Sequence, residues 1–144
     1  MPVGARNPWG PVLLTNKYDE MRILGLGVDL ADISRVESLL ERYPRFADRC
    51  FTEHERSYAS RFANPARRYA ARFAGKEAVM KSLGTGYRRI RWTDVEITGG
   101  GKPTVNLYGT GLSRAQALGV TEVLVTITHT DQSALVMAVA VGEH

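Results

Sequence analysis

Hydrophobic positions change their spacing several times along the chain, and each change marks an element. From Arg22 to Leu30 they alternate, with Leu24, Leu26, Val28 and Leu30 on one face and Ile23, Gly25, Gly27 and Asp29 on the other, which predicts a strand. Glycine inside a strand marks close approach by another backbone or a ligand, here leading to a carboxylate at the strand's end. From Asp32 or a neighbour the spacing turns helical, carrying Ile33, Val36, Leu39, Leu40 and Tyr43 on one face and Arg35, Arg42 and Arg45 on the wet side. Thr52-Glu53-His54-Glu55 has the capping-box spacing and predicts a short helix from Glu53 to about Phe62, with His54 exposed. Strands are predicted over Arg91 to Thr98 and Thr104 to Leu107, joined as a hairpin by Gly99-Gly100-Gly101-Lys102-Pro103. A brief helix from about Gly111 to Leu118 ends at Gly119, and two strands follow, Glu122 to His129 and Ser133 to Val141.

The longest periodic stretch runs from Asn64 to Gly86 and predicts a central helix. Asn64 is a favoured N-cap, Pro65 suits the first helical position and Gly84 suits the left-handed residue after the last turn. Tyr69, Phe73, Val79, Met80 and Leu83 form a broad apolar arc, while Ala71, Ala74, Gly75 and Ala78 form a small-residue face, so this helix is gripped on two sides. Lys76 falls inside the apolar arc with Arg72 one turn behind it, and two such cations repel unless an anion lies nearby. Glu77 and Lys81 lie together at the arc's edge. Two readings stand: a helical salt bridge with Lys76 snorkelling to water, or an anion and metal site on a rigid helix.

The first 20 residues hold three prolines and show neither period, which predicts a poorly structured extension, with Trp9, Val12, Leu13 and Leu14 available to pack on a groove. The remainder, 21–144, is long enough for one domain and contains no linker. Nineteen basic residues against fifteen acidic give net +4, which favours an acidic partner or substrate without demanding nucleic acid. The single cysteine, Cys50, excludes an intrachain disulfide, fits a reducing compartment and reads as a small buried hydrophobe. With no apolar run near 18 residues and no signal-peptide core, no membrane partner is expected and the location expected is cytoplasmic.

The chemistry narrows further. There is no G-x-S-x-G elbow and no C-x-x-C, and the glycine pair before Asp29 lacks the rest of a dinucleotide fingerprint. The histidines, His54, His129 and His144, are too scattered for zinc. Asp29 either caps the following helix or serves a site; His129, at a strand end beside Val123, Val125 and Ile127, is either structural or its counterpart. Two carboxylates, Asp29 and Glu77, among many cations suit Mg²⁺ with phosphoryl or pyrophosphate chemistry.

At this point the chain resembles the holo-acyl-carrier-protein synthases, the small phosphopantetheinyl transferases, over about residues 22 to 141. The resemblance rests on G-L-G-V-D-L-A-D-I-S-R (Gly25 to Arg35), F-T-E-H-E (Phe51 to Glu55), R-F-A-G-K-E-A-V-M-K-S-L-G-T-G (Arg72 to Gly86), G-K-P (Gly101 to Pro103) and I-T-H-T (Ile127 to Thr130). It implies an α+β fold with an antiparallel sheet on a long central helix, assembled as a homotrimer with sites between subunits. It implies Mg²⁺-dependent transfer of 4′-phosphopantetheine from coenzyme A to a serine of apo acyl carrier protein, releasing adenosine 3′,5′-bisphosphate. By similarity Asp29 and Glu77 hold the metal and act in catalysis with Lys81. Arg72, Lys76, Gly84, Thr85, Gly86 and His129 are expected to bind the coenzyme, and Arg35 and Arg42 to dock the carrier protein. Glu77 is the preferred general base, directly or through water. Gly75 stands where the family usually has alanine, and the basic loop near Asn64 leaves Arg67 and Arg68 as alternatives for the 3′-phosphate. A non-catalytic coenzyme A or nucleotide binder is a rival reading, against which the carboxylate pair argues. A nucleic-acid-binding module ranks last, for lack of aromatics interleaved on a basic strand face.

Overall fold

The computed structural model of the protein describes residues 20–143. The expected extension, with Trp9, Val12, Leu13 and Leu14, and the last residue, His144, lie outside the described residues. Within them the chain runs β1 (Arg22–Asp32), α1 (Ile33–Arg42), α2 (Phe46–Cys50), α3 (Glu53–Ala59), α4 (Pro65–Ser82), β2 (Val95–Thr98), β3 (Thr104–Leu107), α5 (Gly109–Leu118), β4 (Val120–His129) and β5 (Ser133–Gly142). Three strands form an antiparallel sheet in the order β1-β5-β4, and β2 and β3 form a separate hairpin. The architecture is α+β, with α4 lying across the sheet. No described helix is long and apolar enough to cross a membrane.

The register explains how α4 is seated. Gly25, Gly27, Asp29 and Ala31 pair with Ala140, Ala138, Val136 and Ala134 of β5, each in its own row, and Val123, Val125, Ile127 and His129 of β4 complete those rows. Most of this face therefore carries almost no side chain along β1 and β5. A Cβ on Gly25 would fall on the Ser82 carbonyl, and one on Gly27 on the Ala78 carbonyl, so the helix backbone occupies the space that side chains would fill. Ala74 and Ala78 of α4 are fully buried. Gly75 has its own reason: a Cβ there would meet the end of the Ile97 side chain from β2. The opposite face of the sheet is apolar yet open, with Leu26 62% and Leu30 60% exposed beside Val28, Leu135 and Met137.

Several sequence expectations need correction. Asn64 precedes α4 without making a side-chain cap, whereas Thr52 and Glu55 form both halves of the capping box. Tyr43 lies outside the helical stripe, because α1 ends at Arg42, and is exposed. α3 ends at Ala59 and unwinds through tighter turns that reach Phe62. α2 was not expected, since five residues carry too little period to read. The strand expected from Arg91 begins at Val95, after a 3₁₀ turn over Trp92–Asp94.

That turn has a physical cause. Lys76 is wholly buried rather than snorkelled: its ammonium lies 2.6 Å from Glu55 Oε1 and donates to the carbonyls of Trp92, at 2.9 Å, and Val95. Two carbonyls converging on one ammonium are incompatible with a regular strand ladder there.

Replacing Gly27 with alanine should lower unfolding free energy by about 1–3 kcal/mol through overpacking against α4. Gly101→Ala, where a Cβ would meet nothing within 4 Å, should stay within about 0.5 kcal/mol in the same urea titrations. Equal stability of the two variants would contradict the close seating of the helix.

Candidate functional site

α4 divides the candidate residues between its two flanks. On the β1 side lies a cleft of about 620 Å³, walled by Asp29, Arg35, Phe73, Glu77, Lys81, Thr85, Gly86, Tyr87 and Trp92. Asp29 enters it because β1 alternates, so the position following Gly27 on the helix-facing side carries the first long polar side chain. Lys81 Nζ donates to Asp29 Oδ1 at 3.0 Å and to the Val28 carbonyl at 3.2 Å, which ties the strand end to the last turn of α4. Glu77, one turn earlier, shares a hydrogen bond with Asp29. Burial, that hydrogen bond and the Asp29 charge push the Glu77 carboxyl up to about 7, against the opposing pull of Lys81 and Arg35. The cleft thus holds two adjoining carboxyls between cations, one of them poised to hold or release a proton near neutrality.

The mouth of this cleft follows from how α4 ends. Leu83 closes the helix, Gly84 takes a left-handed φ of +72°, and Thr85 donates back to the Met80 carbonyl. Arg114 of α5 donates from Nε to the Leu83 carbonyl at 2.9 Å, satisfying an orphan acceptor at the helix end. Thr85 and Gly86 line the cleft; Gly84 provides the bend that puts them there.

On the β4 side is a second hollow of about 320 Å³, where Arg72 and His129 meet Tyr58, Arg67, Arg68 and the glycine turn 99–101. Arg72 is buried, donates to the Gly99 carbonyl at 2.9 Å and lies 4.7 Å from the centre of the Tyr58 ring. Its Nε has no hydrogen-bond partner among the described residues. A buried guanidinium with an unused donor, beside two further arginines, suits an anion. Burial lowers its pKa from the ordinary arginine value, with Tyr58 and Glu55 opposing.

The sequence-derived set is therefore brought together in part. Asp29, Glu77, Lys81, Arg35, Thr85 and Gly86 share one cleft, while Arg72 and His129 sit in the other hollow, across the width of the sheet. Lys76, expected to bind coenzyme, faces the core with no exposure and lines neither cavity, because its position on α4 points at Glu55. Arg42 is exposed at the end of α1 and lies outside the cleft. Sequence reasoning passed over the aromatic wall. Trp92 stacks on Phe73 at 4.8 Å and on Tyr87 at 5.8 Å, a ladder hidden because the segment reads as a strand. It also passed over Arg49, which with Arg45 and Cys50 lines an adjoining groove. Burial pushes the Cys50 thiol up to about 11, away from nucleophilic or metal-ligating use.

The donor set can be tested for metals. No cluster of three or more His, Cys, Asp or Glu among the described residues is placed to hold one. Two adjoining carboxyls in an open cleft fit Mg²⁺, which takes one or two protein carboxylates and completes its shell with water and phosphate oxygens.

The 4′-phosphopantetheinyl transferase superfamily model matches residues 25–139. The chain is 46% identical over 126 residues to holo-[acyl-carrier-protein] synthase of Solibacter usitatus, covering 85% of this chain and 99% of that protein. It is 40% identical over 120 residues to the enzyme of the same name from Natranaerobius thermophilus, covering 81% and 96% respectively. Among solved structures, the holo-ACP-synthase of Plasmodium yoelii superposes with a TM-score of 0.77 at 27% identity, over 86% of this chain and 98% of that one. A holo-(acyl-carrier-protein) synthase from Bacillus anthracis, in complex with CoA (3′,5′-ADP), gives 0.69 at 27% identity over 84% and 98%.

The raised Glu77 carboxyl has a consequence for stability. Its proton is held more tightly in the folded chain, so its contribution is complete below the unfolded value of 4.5 and is lost as pH rises through about 7. Denaturant titrations without divalent ions should show stability falling across that window, and Glu77→Gln should remove this component. An unchanged slope in the variant would place the titration elsewhere.

Proposed function

The chain belongs to the 4′-phosphopantetheinyl transferase superfamily and, within it, to the holo-acyl-carrier-protein synthases, and on that premise we propose that it transfers 4′-phosphopantetheine from coenzyme A to a serine of apo acyl carrier protein. The observation that carries this reading is the Asp29–Glu77 carboxyl pair, bracketed by Lys81 and Arg35 in an open cleft. Such a cleft suits a pyrophosphate donor and a nucleophile supplied by the partner. In the reaction, the serine oxygen bonds to the phosphorus that bears pantetheine. The bond from that phosphorus to the bridging pyrophosphate oxygen breaks, and adenosine 3′,5′-bisphosphate leaves. Glu77 takes the serine proton directly or through water. Lys81, half-exposed and tethered to Asp29, is placed to swing onto the phosphates and balance charge on the leaving bisphosphate. Asp29 and Glu77 are the residues that would hold Mg²⁺, which would supply Lewis-acid polarisation of the pyrophosphate. Arg35, beside this pair on the basic side of α1, and Arg42 at its end serve the acidic carrier protein.

The same reading includes a homotrimer, and two observations support it. The open apolar face of the sheet, with Leu26, Val28, Leu30, Leu135 and Met137, is of a kind that a monomer seldom leaves in water. The other is the division of the anion-binding groups between two flanks of α4, since one coenzyme then draws its carboxylate half from one subunit and its Arg72–His129 half from the next. The 3′-phosphate suits the Arg72 hollow, with Arg67 and Arg68 at its rim; Arg67 is held by Asp131 at 3.2 Å.

With coenzyme A, Mg²⁺ and an apo carrier protein, mass spectrometry should detect the phosphopantetheine adduct. Asp29→Asn and Glu77→Gln should each lower the rate at least about 100-fold without altering far-ultraviolet circular dichroism; retained activity in both would overturn the carboxylate assignment. Arg35→Glu should raise KM for the carrier protein well above any change in KM for coenzyme A. Met137→Glu should yield a smaller species by sedimentation with loss of transfer, and a monomeric, fully active wild type would refute the shared site.

A further inference from the structure

The most completely engaged charge among the described residues has no part in the chemistry above. Lys76 carries three ammonium protons and has three acceptors: Glu55 Oε1 and the carbonyls of Trp92 and Val95. Glu55 is equally occupied, accepting from the Thr52 amide through Oε1 and from the Ile97 amide through Oε2, both at 2.9 Å. Both side chains are wholly buried. An apolar pair of similar volume is often as stable as a buried ion pair, so stability alone does not account for these residues. What an apolar pair cannot do is gather two carbonyls into the 3₁₀ turn at Trp92 and leave them satisfied.

Trp92 is where this core charge meets the cleft. Its backbone is held by Lys76, and its ring lies between Phe73 and Tyr87, with interplanar angles of 16° and 12°. All three rings line the cleft that holds Asp29 and Glu77. Phe73 and Glu77 are one turn apart on α4, so the same helix carries the reacting carboxyl, one ring of the wall and the lysine that fixes another.

We propose that the Lys76–Glu55 pair is a positioning element for the donor. It fixes the Trp92 backbone so that the Phe73–Trp92–Tyr87 wall stands at a set distance from Glu77, and that wall seats the aliphatic and amide stretch of the pantetheine arm. This deepens the transfer reading and rests on it.

The test uses the full chain, with saturating apo carrier protein, saturating Mg²⁺ and varied coenzyme A. The double variant Lys76→Met with Glu55→Gln removes both charges, keeps similar shapes and leaves an oxygen for the Ile97 amide. Its KM for coenzyme A should rise roughly tenfold while kcat stays within roughly threefold. In a Trp92→Leu background the same double change should shift KM by less than about twofold, because the intermediary is gone. A lowered melting temperature with unchanged KM, or a full effect in the Trp92→Leu background, overturns the proposal. Trp92→Leu alone must also raise KM, and an unchanged value there overturns it even where the double variant does not fold. A wild-type chain that forms no holo carrier protein instead refutes the transfer reading; the positioning claim is then decided by the same variants' affinity for coenzyme A in calorimetry.

Discussion

The protein depends on how closely a helix backbone can lie against a strand backbone. Along β1 the positions facing α4 before Asp29 are glycines, and the carbonyls of Ala78 and Ser82 fill the space that side chains would take. This approach is the reason for the site. Asp29 belongs to the sheet and Glu77 to the helix, and only a helix seated at backbone contact brings carboxyls from two layers within hydrogen-bonding reach. Larger side chains on β1 would lift α4 and part them. The strand gives up side-chain packing where the helix needs room, and regains it through the alanines that β5 and α4 bury on the same face.

A helix so seated has distinct sides, and neighbouring residues on it serve different ends. Lys76 and Glu77 are consecutive and point about 100° apart, the first into the core and the second into the cleft. Arg72, one turn before Lys76, is buried toward the other hollow, where its guanidinium lies against Tyr58 and the glycine turn. One rigid element thereby fixes Glu77, Lys76 and Arg72 relative to one another. Distances among them are set by helical geometry rather than by loops.

Much of this was legible in the sequence. The alternation of Leu24 to Leu30 and the placement of Pro65 and Gly84 predict β1 and α4 nearly to the residue, and the glycines correctly announced a close backbone. The capping-box spacing at Thr52 is realised with both hydrogen bonds. The sequence was silent where an outcome depended on partners remote in the chain. Lys76 looks like a ligand-binding cation because nothing near it in sequence neutralises it; its counter-ion is the capping glutamate of another helix, twenty-one positions earlier. Trp92 looks like part of a strand because apolar alternation does not register two carbonyls turned toward an ammonium. Asn64 has the composition of a cap and lacks its hydrogen bond, since propensity constrains the residue type and not the backbone angles that the tertiary setting imposes.

Cys50 gives the arrangement a chemical advantage. The proposed donor ends in a free sulfhydryl, and the groove beside the cleft contains the protein's only sulfhydryl. Exchange between two sulfurs begins with a thiolate, and burial, which pushes this group up to about 11, favours the thiol form at neutral pH. Oxidising conditions that convert the coenzyme to disulfides therefore find little on this chain to capture, and turnover is spared a covalent dead end that an acidic cysteine in the same place would invite.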